Sequence, residues 1–136
     1  MLSSVTACRY VWANLDIDTI DIGEGSFDRY EKVAKSIRYL KFAREMHSDY
    51  LYWSEFRGIS HFVNAKEIWI MPLDGLDCCV GVGEAHYWPC GQENLFYIDP
   101  ENAERVFRGP DGEEEIYALY EPYGIYKPLG TNAPRS

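Results

Sequence analysis

One apolar spacing recurs along this chain. It is carried by Ile17-x-x-Ile20-x-Ile22, by Ile37-x-x-Leu40-x-Phe42 and by Ala65-x-x-Ile68-x-Ile70. A fourth segment, Glu93-x-x-Phe96-x-Ile98, fits the same frame with a polar first residue. The segments start at 17, 37, 65 and 93, in steps of 20, 28 and 28 residues. A period of that length holds one strand and a return segment, and such a unit cannot bury its apolar face alone. Several units must therefore stack into a parallel sheet with a shared core.

This spacing predicts an α/β fold: a short leucine-rich-repeat-like parallel sheet of about four strands backed by helices, with a long ordered loop and an extended C-terminal tail. The expected division is a single repeat-like domain over residues 1–120 and a Pro/Gly-rich tail over 121–136. A strand is expected at Cys8–Trp12 from its aromatic and β-branched residues. Repeat strands follow near 18–22, 37–42, 66–71 and 94–98. Ser26 is placed to cap a helix over Phe27–Lys35, and a second helix starts at Ser48 and reaches Phe56. Asp99-Pro100-Glu101 reads as a helix start, with the helix running to Phe107. Gly109–Gly112 reads as a turn, and Glu113–Tyr120 as helix. Between the third and fourth repeat strands lies the long segment 73–93, taken as an ordered loop with a short strand at Cys78–Val82.

At 136 residues, 46% of them hydrophobic, the chain suits one domain that buries about two-thirds of its unfolded surface. The net charge of −9 and the absence of a basic run argue against nucleic acid as a partner. No apolar stretch reaches the length of a membrane span. The first residues carry neither the charged nor the apolar region of a secretory signal, so the expected setting is cytoplasmic or nuclear, with Cys8, Cys78, Cys79 and Cys90 reduced.

Several segments resemble, in order, a known group. They are Tyr10-Val11-Trp12, Leu15–Ile22, Ile37–Phe42 and Asn64–Ile70, together with the more specific stretch His86-Tyr87-Trp88-Pro89-Cys90-Gly91 leading to Glu93–Pro100. Over residues 8–110 this is similar to the later, leucine-rich-repeat-like part of fungal "two-EXR" domain proteins, whose chains look F-box-like. The family's N-terminal proline- and leucine-rich box is absent from this sequence. The resemblance therefore implies the repeat-like portion without the scaffold-docking box, and implies a fold more than an activity.

The residues between the apolar positions are expected to face outward: Thr19 and Asp21, Tyr39 and Lys41, Glu67 and Trp69, Leu95 and Tyr97. Exposed aromatics on a sheet face mark interaction surfaces, unless a loop or the C-terminal tail covers them. The expected function is a non-enzymatic module that binds a protein partner, or associates with itself, through Tyr39, Lys41, Glu67, Trp69 and Tyr97 together with His86 and Trp88 of the 73–93 loop. The alternative is a small enzyme acting on an organic metabolite in an aromatic pocket, with Glu84, His86 and Tyr87 in acid–base roles. Cys78, Cys79, His86 and Cys90 supply zinc-ligand types, but without a C-x-x-C knuckle. Gly81-Val82-Gly83 lacks the third glycine of a dinucleotide loop. No cofactor is expected, and Glu113-Glu114-Glu115 reads as a solvated face.

Overall fold

The structure is a computed structural model that describes residues 14–47 and 55–121. Five strands form one sheet: β1 (Thr19–Asp21), β2 (Tyr39–Arg44), β3 (Glu67–Pro72), β4 (Leu95–Asp99) and β5 (Asn102–Arg108). Their order across the sheet is their order in the chain. β1 to β4 run parallel, and β5 returns antiparallel against β4. The fold is thus α/β with a mostly parallel sheet, one strand wider than the four apolar segments imply.

Register follows the apolar spacing. Ile20 lies beside Leu40, Leu40 beside Ile68, and Ile68 beside Leu95. One step along, Phe42, Ile70 and Tyr97 form the next buried row. Side chains alternate across a strand, so these rows share one face, and the return segments cover it. The first return is a 3-10 turn (Phe27–Tyr30) running into the short α1 (Glu31–Ala34). Ser26 caps it as expected, its hydroxyl accepting from the Asp28 N–H at 3.3 Å. The second return contains the 3-10 turn Glu55–His61. Phe27 joins the layers, its ring centroid 5.0 Å from Phe42, 5.6 Å from Phe56 and 6.1 Å from Phe62. Gly58 permits this approach, because a Cβ there would lie 2.8 Å from the Phe27 Cβ.

The carboxyl ends of the strands are tied by polar groups. The buried Arg44 guanidinium donates to the carbonyls of Gly23 (2.8 Å), Ala43 (2.9 Å) and Gly25, and lies 4.6 Å from the Phe27 ring centroid. Each such carbonyl would otherwise lose its solvation without a partner. Asp74 accepts from the N–H groups of Met46 (2.9 Å) and His47 (3.0 Å), fastening the loop after β3 to the one after β2.

Several expectations need correction. Residues 99–107 are not a helix: Asp99–Glu101 turns the chain, and β5 pairs Val106 with Ile98 and Phe107 with Tyr97. Cys78–Val82 is not a strand but spans the 3-10 turn Leu76–Cys79 and the start of α2 (Val82–Ala85). The last helix, α3 (Gly109–Tyr120), starts four residues before the expected Glu113 and takes Pro110 into its first turn, where a missing N–H costs nothing. In the fourth strand the alternation is displaced by one residue, so Leu95 and Tyr97 are buried and Phe96 faces outward. The strand at Cys8–Trp12, the helix start at Ser48–Trp53 and the tail beyond Glu121 lie outside the described residues.

Candidate functional site

The outer face of the sheet is organised in rows by strand pairing. Asp21 pairs with Lys41, Lys41 with Trp69, Trp69 with Phe96, and Phe96 with Arg108. That row crosses all five strands, about 19 Å at ordinary strand spacing. The Trp69 and Phe96 rings are stacked, with centroids 4.1 Å apart and planes at 6°. The Trp69 indole N–H donates to Glu67 Oε1 at 3.1 Å, which fixes the ring orientation. On one side Lys41 Nζ lies 3.8 Å from Asp21 Oδ2. On the other, the Arg108 guanidinium sits 5.0 Å from the Phe96 centroid while donating to Glu93 O (2.9 Å) and Asn94 Oδ1 (2.7 Å). The neighbouring positions are apolar: Ala43 pairs with Met71, and Ile98, itself buried, with Val106. Tyr39, Lys41, Glu67 and Trp69 therefore share one half-buried face, as their spacing predicts, and Phe96 and Arg108 complete it.

Tyr97 belongs elsewhere. It is fully buried, and its hydroxyl donates to Glu113 Oε2 at 2.5 Å. Glu113, from the first half of α3, also accepts the N–H of Gly81 at 2.8 Å and that of Gly83 at 2.9 Å. One carboxylate thus ties α3 to α2 and to the sheet. Burial raises the Glu113 carboxyl above its ordinary range, although all three hydrogen bonds favour its ionised form. Burial, and then the charge of Glu113, hold the Tyr97 phenol well above its usual value. The expectation of a solvated acidic run fails at Glu113 alone, since Glu114 and Glu115 are exposed. Its sequence signal was faint: a carboxylate at the start of a helix and two glycines far upstream.

His86 and Trp88 do not reach the outer face. Trp88 is core, its indole N–H donating to Val82 O at 3.1 Å. The His86 ring meets Phe56 edge-on at 4.1 Å, and burial lowers its pKa to about 4, so it is neutral at pH 7. It lines an open cleft of about 520 Å³ with Phe56, Ile59, Ser60 and Tyr87. Of the acid–base candidates, only His86 and Tyr87 border this cleft, while Glu84 is exposed and outside it. Cys78, Cys79 and Cys90 are free thiols. Burial pushes Cys78 up to about 12 and Cys90 to about 11, with Cys79 also raised. Among the described residues no group of three or more Cys, His, Asp or Glu is placed to hold a metal ion, so the Cys78–Cys79–His86–Cys90 ligand set does not assemble. No helix of the described residues is long and apolar enough to cross a membrane.

The chain matches no known protein-family model, no curated protein and no solved structure.

Proposed function

We propose that this protein is a non-enzymatic interaction module that binds a protein partner through the outer sheet face centred on Trp69 and Phe96, with Tyr39, Lys41 and Glu67 around them. The carrying observation is the stacked Trp69–Phe96 pair, half-buried between Lys41 and Arg108 on the outer side of the sheet. Tryptophan and arginine dominate interface energetics, and a ring held by its neighbours loses little entropy when it is covered. In this reading the half-buried His86 and the buried Trp88 and Tyr97 support the fold and do not touch the partner. An intracellular setting accords with the three free thiols, and the two-EXR resemblance is consistent with a repeat-like binding surface.

The test is capture from native extract with the wild-type chain and with the Trp69→Ala/Phe96→Ala variant in parallel. A partner retained by the first and lost by the second, with both proteins folded, supports the reading. Identical captured sets refute it. The cleft beside His86 favours a second reading, in which a small organic ligand is bound next to a neutral imidazole that acts as a base. Turnover abolished by His86→Ala but untouched by Trp69→Ala would select that reading.

A further inference from the structure

A second surface borders the end of the Trp69 row, in a groove of about 630 Å³ between β5 and α3. On the strand side it is lined by four consecutive residues, 104–107. Alternate residues of a strand point to opposite faces, so four in succession line one groove only when it runs along the strand's backbone edge. On the helix side it is lined by Glu115, Ala118 and Leu119, an i, i+3, i+4 stripe that forms a single wall. β5 is the last strand of the sheet, with no further neighbour among the described residues. Its seven residues offer about 23 Å of edge. Val106 and Leu119, 39% and 42% exposed, are the groove's exposed large apolar residues. An edge strand facing a helix across an apolar groove is the arrangement that accepts an extended peptide as an added strand.

Charge selects the occupant. Arg105 is engaged by Asp99 at 3.4 Å, whereas Glu104 and Glu115 have no ion-pair partner among the described residues. A second copy of the chain would bring the same carboxylates and a net charge of −9, and like charges across a ladder repel. We propose that this groove binds an extended segment of a protein partner that carries lysine or arginine on the side chains facing Glu104 and Glu115. Backbone pairing to β5 supplies the affinity, and the two carboxylates supply the selectivity. This groove adjoins the Trp69–Phe96 face through Val106, which pairs with Ile98 beside Phe96, but neither Trp69 nor Phe96 lines it, so either site can fail without the other.

The experiment titrates the full chain with a fluorescent heptapeptide, Lys-Lys-Val-Val-Val-Lys-Lys, which as a strand carries lysine on both faces, read by anisotropy. Alongside it runs the same peptide N-methylated at alternate residues, which keeps the charge and removes donors along one edge. Saturable binding is expected, weakened about tenfold or more by N-methylation, the equivalent of one or two lost backbone hydrogen bonds. Glu104→Gln/Glu115→Gln is expected to weaken it by several-fold, and the amides of 102–108 to exchange more slowly in the complex. Equal binding of both peptides, an unaffected double variant, or no saturable binding overturns the proposal. So do nuclear Overhauser contacts between residues 122–136 and β5 in the free chain, which would assign the groove to the chain's own tail.

Discussion

Gly83→Ala should destabilise this protein, although glycine to alanine inside a helix ordinarily gains up to about 1 kcal/mol. The new Cβ would stand 2.7 Å from Glu113 Oε2, and 3.4 Å from Gln92 Oε1. Glu113 has little room to retreat, since its oxygens are held by Gly81, Gly83 and the Tyr97 hydroxyl. Displacing it forfeits at least one hydrogen bond to a charged group, worth about 1.5–3 kcal/mol, and leaves a buried donor unsatisfied. After subtracting the propensity gain, the net loss is about 2 kcal/mol, which for a chain of this size lowers the melting temperature by roughly 5–10 °C. Denaturant unfolding followed by circular dichroism measures this directly. In a Glu113→Ala background the obstruction is gone, and the same substitution should become neutral or stabilising. A neutral Gly83→Ala in the wild-type background, or an equal penalty in both, would refute the reasoning.

Other consequences follow from the same contacts. The His86 pKa falls from 6.5 unfolded to about 4 folded, so the unfolded chain takes the proton first, and this part of the stability is lost as pH drops from 6.5 to about 4. Glu113 has the opposite sign, because its raised folded pKa makes ionisation costly, and its contribution declines as pH rises above the ordinary carboxylate value. Melting curves of His86→Phe and Glu113→Gln across pH 4–8 should each lose the corresponding slope. A double-mutant cycle between Trp69→Ala and Phe96→Ala should return a coupling of about 0.5–1.5 kcal/mol, as stacked rings do; additive effects would deny the stack. With thiols this far raised, Cys78, Cys79 and Cys90 should react with an aromatic disulfide reagent at pH 8 far more slowly in the native state than in denaturant.

How much of this was legible in the sequence depended on whether local pattern had a competitor. Around Ile20, Leu40 and Ile68 the flanking residues are polar or aromatic, one face is plainly apolar, and the predicted in-register parallel strands are those found. In Leu95-Phe96-Tyr97-Ile98 every residue is apolar or aromatic, so spacing alone could choose either face. The choice was made from a distance, by Glu113 offering Tyr97 a buried hydroxyl partner and by Trp69 offering Phe96 a stacking surface. A shift of one residue exchanges the faces, which is why Tyr97 moved from candidate surface to core. β5 was obscured for a related reason. Asp99-Pro100 carries a helix-start signal, and Ala103, Val106 and Phe107 also lie at helical spacing, yet pairing with β4 prevails over local preference. The role of Glu113 was barely legible because its partners are 16, 30 and 32 residues upstream.

The measurement that bears most directly on the outward-facing aromatic row is a nuclear Overhauser spectrum of the ring protons in the full chain. Cross-peaks should join the Trp69 indole to the Phe96 ring, and the Tyr97 ring to the Glu113 side chain. Cross-peaks from Tyr97 to Trp69, with Phe96 among the core residues Leu40 and Ile68, would reverse the faces of β4 and remove the surface on which the proposed binding depends.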